Sequence, residues 1–265
     1  MTRTPIVENK AKMYKTVGVL LFMLLGWGQS LFCQDTMPAG KGAIEIFSKD
    51  AFLLHGDFVA GKTGAPGILF IPMCNVGQRS DYNSIIDKFQ KQGMFLLSFD
   101  FRGHGDSVNE EYDVKKDLDG FWDRENGMIM ADIEAAYQYL VSQPGVDTTR
   151  IAVFAASCGV KRALQLTKTT DNIKLLVLLS GQASPDGLAY LRAHKEIPVM
   201  GIASEDDGNG IAAEWIRNLG EETPHPNSTT RIFKTGGHGT ELFLSQETLE
   251  EDIVKWVKIN LVIRP

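Results

Sequence analysis

Cysteine is scarce in this chain: three occur in 265 residues, at positions 33, 74 and 158. Histidine is scarce too, with five spread along the sequence, and no Cys/His cluster has the spacing of metal ligands. No structural zinc, no other metal and no cofactor is therefore expected. Basic residues are outnumbered, 27 Lys and Arg against 33 Asp and Glu, for a formal net charge of −6. A chain of that sign repels nucleic acid and anionic lipid, so neither is an expected partner. Internal repeats and low-complexity tracts are also missing.

What is present is ordinary globular material, 43% hydrophobic and 23% charged, long enough for one good-sized core or two small ones. The first 33 residues stand apart. Arg3, Lys10, Lys12 and Lys15 precede an apolar run over 17–25, and Gly26, Gly28, Gln29 and Ser30 follow it. A basic flank, a short apolar core and small or polar residues describe a secretory signal peptide, with cleavage expected between Cys33 and Gln34 and Met13 as an alternative start. The rival reading is an uncleaved membrane anchor, for which the stretch is short and broken by glycine. The expectation is an exported protein, periplasmic or secreted, with a leader over 1–33, a linker over 34–42 and one domain over 43–265. Residues 1–33 hold four basic residues and one acidic one, so the chain without them carries −9.

Downstream, strands and helices alternate. Residues 43–48 and 52–61 read as two strands, plausibly a hairpin, and 67–71 as a continuous apolar strand buried on both faces. Tyr82, Ile85, Ile86 and Phe89 fall at helical spacing; 94–99 is the next buried strand. Residues 108–127 are acidic and rich in turn formers, and read as one long irregular segment. A helix carrying Met130, Ile133, Tyr137 and Leu140 comes next, then strands over 151–154, 173–179, 198–203 and 230–233 with helices between and after them. This alternation means an α/β fold with a mostly parallel sheet, whose chemistry belongs at the carboxyl ends of its strands.

The stretch 151–160, IAVFAASCGV, organises the rest. It starts as a buried strand, ends as a helix start, and between them holds Ala155-Ala156-Ser157-Cys158-Gly159. A serine on so sharp a turn needs small residues two positions before and after it, which Ala155 and Gly159 supply. The turn lifts the Ser157 hydroxyl clear of the sheet and aims the Cys158 N–H at the same place. The bland alternative is an ordinary strand-to-helix turn. Cys158 as nucleophile is the chemical rival, but that frame puts β-branched Val160 at the second small position.

Serine needs a base to become a nucleophile, and histidine is the usual one. His55 lies inside a strand, His194 and His225 in polar exposed contexts, and His104 in an Arg-Gly-His-Gly loop where it shapes the turn. His238, just past a strand and between glycines, is the candidate base.

Four patches together carry a family likeness: Asp100-Phe101-Arg102-Gly103-His104-Gly105-Asp106-Ser107, Ala155-Ala156-Ser157-Cys158-Gly159, Ser204-Glu205-Asp206-Asp207 and Gly236-Gly237-His238-Gly239. In this set and order the chain resembles the α/β hydrolases, nearest to dienelactone-hydrolase-like and prolyl-oligopeptidase-like serine esterases. The resemblance implies a central sheet of about eight mostly parallel strands with helices on both faces. It also implies Ser157 as nucleophile, Asp207 as acid (Asp206 competing) and His238 as base. The oxyanion donors it implies are the backbone N–H groups of Asn75 and Cys158. The loop 72–75 departs from the family's usual His-Gly pattern, and Ala155 stands where glycine is commoner.

Only residues 181–197 separate the strands where such enzymes insert a lid, so no large cap domain is expected. The implied activity is hydrolysis of small or short-acyl esters through an acyl-enzyme. A peptidase or thioesterase, and a non-catalytic binding protein on the same scaffold, stand as alternatives. Cys74 and Cys158 are expected to be free thiols pointing apart, with a bridge between them as the alternative.

Overall fold

The computed structural model describes residues 41–74, 77–125 and 127–262. Expectations about the leader over 1–33, the linker up to residue 40 and the Asn75 donor lie outside the described residues.

Eight strands form one sheet: β1 (Lys41–Phe47), β2 (Leu53–Val59), β3 (Ala65–Ile71), β4 (Phe95–Phe99), β5 (Val146–Ala156), β6 (Ile173–Leu179), β7 (Val199–Ser204) and β8 (Thr229–Phe233). Their order across the sheet is β1-β2-β4-β3-β5-β6-β7-β8. The first two are the expected hairpin, antiparallel to each other and to β4, and all other pairings are parallel. β1 begins at Lys41, so the last two residues assigned to a linker belong to the sheet edge.

The helices are α1 (Asn83–Gln90), α2 (Leu118–Glu125), α3 (Met128–Ser142), α4 (Gly159–Thr169), α5 (Pro185–Ala193), α6 (Ile211–Glu221), α7 (Glu241–Ser245) and α8 (Leu249–Val257). Because successive strand residues point to opposite faces, each central strand feeds two cores. Leu69, Ile71, Val153 and Ala155 pack with Ile133 and Leu140 of α3, Val160 of α4 and Ile216 of α6. Ile68, Phe70, Ala152 and Phe154 pack with Ile85 and Phe89 of α1, Leu242 of α7 and Ile253 of α8. Helices therefore cover both faces, and every residue from Ile151 to Ala156 is fully buried.

The acidic stretch 108–127 is not wholly irregular. It contains α2, whose Phe121 is completely buried against Tyr112 and His104, with Trp122 packed beside it. In the sequence, the acidic residues around Phe121 obscure this helix. No large cap domain is present among the described residues.

Candidate active site

The expected elbow is where β5 ends. Ser157 has φ of +55°, a left-handed conformation that few non-glycine residues adopt. Its backbone is pinned on both sides: Ser157 N–H donates to the Leu179 carbonyl at 2.8 Å, and Val160 N–H donates to the Ser157 carbonyl at 3.1 Å. The demand for a small residue two positions on has a visible cause. A Cβ on Gly159 would come within 2.9 Å of the Pro72 carbonyl oxygen, where the chain leaves β3. No side chain caps the start of α4; the Ser157 carbonyl takes the Val160 N–H instead.

Thirty-four residues of chain beyond β7 bring the second half of the site. Ser204 ends β7, and the turn after it runs through three consecutive left-handed residues, Gly208, Asn209 and Gly210. That turn presents the Asp207 carboxylate, 9% exposed, to His238. Its two oxygens lie 2.8 and 2.9 Å from His238 Nδ1. The histidine sits between Gly237 and Gly239, both with positive φ. A Cβ on Gly239 would press on the Met73 sulfur and come 3.4 Å from the Ala156 Cβ, so the histidine loop lies directly against the elbow. His238 N–H donates to Glu241 Oε2 at 2.7 Å.

Asp206, the competing acid, does something else. Its carboxylate accepts the N–H groups of Gly236 at 3.1 Å and Gly237 at 3.2 Å, fastening the histidine loop to the end of β7. The Ser204 hydroxyl and those N–H groups hold its carboxyl below the usual range. Ser157, after β5, and the Asp207–His238 pair, after β7 and β8, thus stand at the same end of the sheet, with β6 between them. Among the described residues Ser157 Oγ makes no hydrogen bond to the ring, a common condition in unliganded sites.

The motif after β4 is a folding device. Arg102, 1% exposed, binds Asp132 with Nη2–Oδ1 at 2.5 Å and Nε at 3.0 Å, and binds Asp50 with Nη1–Oδ2 at 2.6 Å. Asp100 accepts Arg79 and Asp106 backbone N–H groups and pairs with the Arg79 guanidinium. His104 is buried with Nδ1 2.9 Å from the Arg102 carbonyl, and burial pushes its imidazole below the ordinary histidine range. These contacts shape the turn, as expected for that loop.

The cysteines correct an expectation. Cys74 and Cys158 are joined in a disulfide, with Cα atoms 5.9 Å apart across 84 residues of sequence. Spacing in the chain carried no signal for this, because the pair meets only once β3 and β5 lie side by side. Arg162 Nη1 stands 3.5 Å from Cys74 Sγ and donates to the Cys158 carbonyl at 3.2 Å, with its guanidinium over the Trp122 ring. A crevice of about 500 Å³ opens on the other side of Met73, lined by Asp81, Thr240, Glu241, Phe243 and Leu244. A lysine-lined groove between α1 and α8 lies toward the opposite ends of the strands and is not this site.

The order of the strands, the elbow and the acid–histidine pair define an α/β-hydrolase fold. A family model described as the BAAT / acyl-CoA thioester hydrolase C-terminal domain matches residues 131–239, the part that carries the elbow, the acid and the histidine. The chain is 22% identical over 206 residues to the thiohydrolase aneE of Aspergillus aculeatus, an alignment spanning 77% of this chain and 59% of that one. Its fold is similar to that of the esterase Pf2001 of Pyrococcus furiosus, with a TM-score of 0.65 and 18% identity over 84% of this chain and 93% of that chain. It is also similar to the α/β hydrolase GrgF of a Penicillium species, with a TM-score of 0.63 and 16% identity over 84% of this chain and all of that one.

Proposed function

We propose that this chain is an exported serine hydrolase that cleaves small carboxylic esters or thioesters through an acyl-enzyme. The observation that carries the reading is the Asp207 carboxylate 2.8 Å from His238 Nδ1, beside a serine held at φ +55° on the elbow. With Nδ1–H bound to Asp207, His238 offers Nε2 as the basic nitrogen. Nε2 takes the Ser157 proton while Oγ bonds to the substrate carbonyl carbon. The oxyanion is held by the Cys158 N–H and, on the family likeness, by that of Asn75. His238 then gives its proton to the departing alcohol or thiol, leaving an acyl group on Ser157. Water, deprotonated by the same nitrogen, attacks that ester and releases the acid.

Thioesters are favoured over amides by the family-model match and by the likeness to a thiohydrolase. The surroundings argue against a polyanionic carrier such as coenzyme A. Asp81 and Glu241 line the crevice beside Met73 and Asp206 stands at the histidine loop, in a chain whose net charge is −6. A short acyl group on a neutral alcohol or thiol suits that rim. The leader over 1–33 directs export, and a small soluble ester or thioester is the partner expected there.

Matched acyl groups presented as an N-acetylcysteamine thioester, an ethyl ester, an anilide and a coenzyme A thioester test this reading. The neutral thioester and ester should turn over best, and the coenzyme A substrate should gain relative to them as salt is raised. Anilide turnover equal to the ester would point to a peptidase. No turnover of any, with the fold intact, would leave only a binding role.

A further inference from the structure

We propose that the Cys74–Cys158 disulfide is a positioning element of the oxyanion hole, so that turnover requires the bridge to be oxidised; this rests on the serine-hydrolase reading above. Cys158 directly follows Ser157, and on that reading its N–H is one of the oxyanion donors. Cys74 lies in the segment between the end of β3 at Ile71 and the short helix starting at Arg79. No backbone-to-backbone hydrogen bond among the described residues fastens Met73 or Cys74. What ties Cys74 to its surroundings, apart from packing against the core, is the bridge and the Arg162 guanidinium 3.5 Å from its sulfur.

The bridge therefore joins the two sides of the place where a substrate oxygen sits: the residue after the nucleophile, and the exit from the neighbouring strand. Preorganisation is what makes such donors effective, because a donor free to turn away must be reoriented in every cycle. An oxidised bridge removes that freedom from both backbones at once. Close packing of Gly159 against the Pro72 carbonyl holds the elbow and the exit of β3 together only as far as Pro72, and Cys74 lies two residues beyond it. On reduction the Cys74 side is the one released.

The chemistry balances with a dithiol as reductant. Its thiolate attacks the Cys158 sulfur, the bond to Cys74 sulfur breaks, and the second thiol closes the mixed disulfide. Two electrons and two protons pass to the protein thiols and the dithiol leaves as a cyclic disulfide.

The experiment measures kcat and KM on an activated short-acyl ester, per site titrated with a fluorophosphonate, before and after dithiothreitol. Intact mass follows reduction through the gain of about 2 Da. Full reduction should lower kcat roughly 10- to 100-fold with KM changed less than about twofold, and reoxidation should restore it. Inhibition by a boronic acid, which forms a tetrahedral adduct, should weaken in parallel while inhibition by the product carboxylate does not. Cys74→Ser should show the lowered kcat from the start and no further response to dithiothreitol, which keeps the test valid if the reduced wild type unfolds. A fully reduced, folded protein that keeps its kcat overturns the proposal. A rise in kcat on reduction overturns it too. An oxidised protein that takes no fluorophosphonate and turns over no ester overturns both this proposal and the hydrolase reading beneath it.

Discussion

Two adjacent carboxylates in one turn make the sharpest perturbation available. Asp207→Asn keeps the shape of the side chain but loses the charge that stabilises the protonated ring, and its amide N–H can turn to Nδ1 and hold the ring in the wrong tautomer. Both Asp207 oxygens lie within 2.9 Å of Nδ1, and the residue is 9% exposed, so water cannot readily take over. The loss expected for the wrong tautomer is roughly 10⁴-fold in kcat, which corresponds to about 5.4 kcal/mol of barrier. Asp206→Asn, one residue away, keeps a carbonyl oxygen that can still accept from the glycine loop. It should cost about tenfold or less. The assay is kcat on an activated ester for each variant, with far-UV spectra and melting points as controls for folding. Equal losses, or a larger loss at Asp206, would refute the assignment of the acid to the residue that touches His238.

Other outcomes follow from the packing. Arg102→Met leaves the fully buried Asp132 carboxylate without its partner and should cost about 3–5 kcal/mol in urea unfolding, with Arg102→Met/Asp132→Leu recovering a good part of it; a loss under about 1 kcal/mol would show that the pair is not what holds the loop after β4. Gly159→Ala places a methyl 2.9 Å from the Pro72 carbonyl oxygen, so the elbow or the exit of β3 must move. That variant should lose about 1–3 kcal/mol of stability and a larger share of kcat than of substrate binding. Wild-type values for both would mean the two backbones have room that the structure does not show.

Much of the molecule is legible from residue types alone, and the reasons differ from part to part. The strand over 151–154 reads directly because a strand buried on both faces leaves no place for a polar residue, whereas the half-exposed start of β5 from Val146 does not read. The elbow reads because its steric demand falls on two identifiable positions, Ala155 and Gly159. Helix α2 does not read, because Asp117, Asp119, Gly120 and Asp123 break the apolar periodicity around the one buried anchor, Phe121. Nor does the bridge between Cys74 and Cys158. Its partners are 84 residues apart, and only the parallel pairing of β3 with β5 brings their Cα atoms to 5.9 Å. The division of labour between Asp206 and Asp207 is likewise invisible in a run of acids, because it depends on which carboxylate the left-handed turn at Gly208, Asn209 and Gly210 rotates toward the ring.

Whether Ser157 is the nucleophile is tested most directly by covalent capture. Oxidised wild-type protein is incubated with a fluorophosphonate, digested, and the modified peptide sequenced by mass spectrometry, with Ser157→Ala treated in parallel. The account predicts one phosphonyl adduct, on Ser157, with hydrolysis lost in step with labelling, and a folded Ser157→Ala protein that neither labels nor turns over ester. Undiminished hydrolysis by Ser157→Ala, or an adduct on another residue, would contradict it.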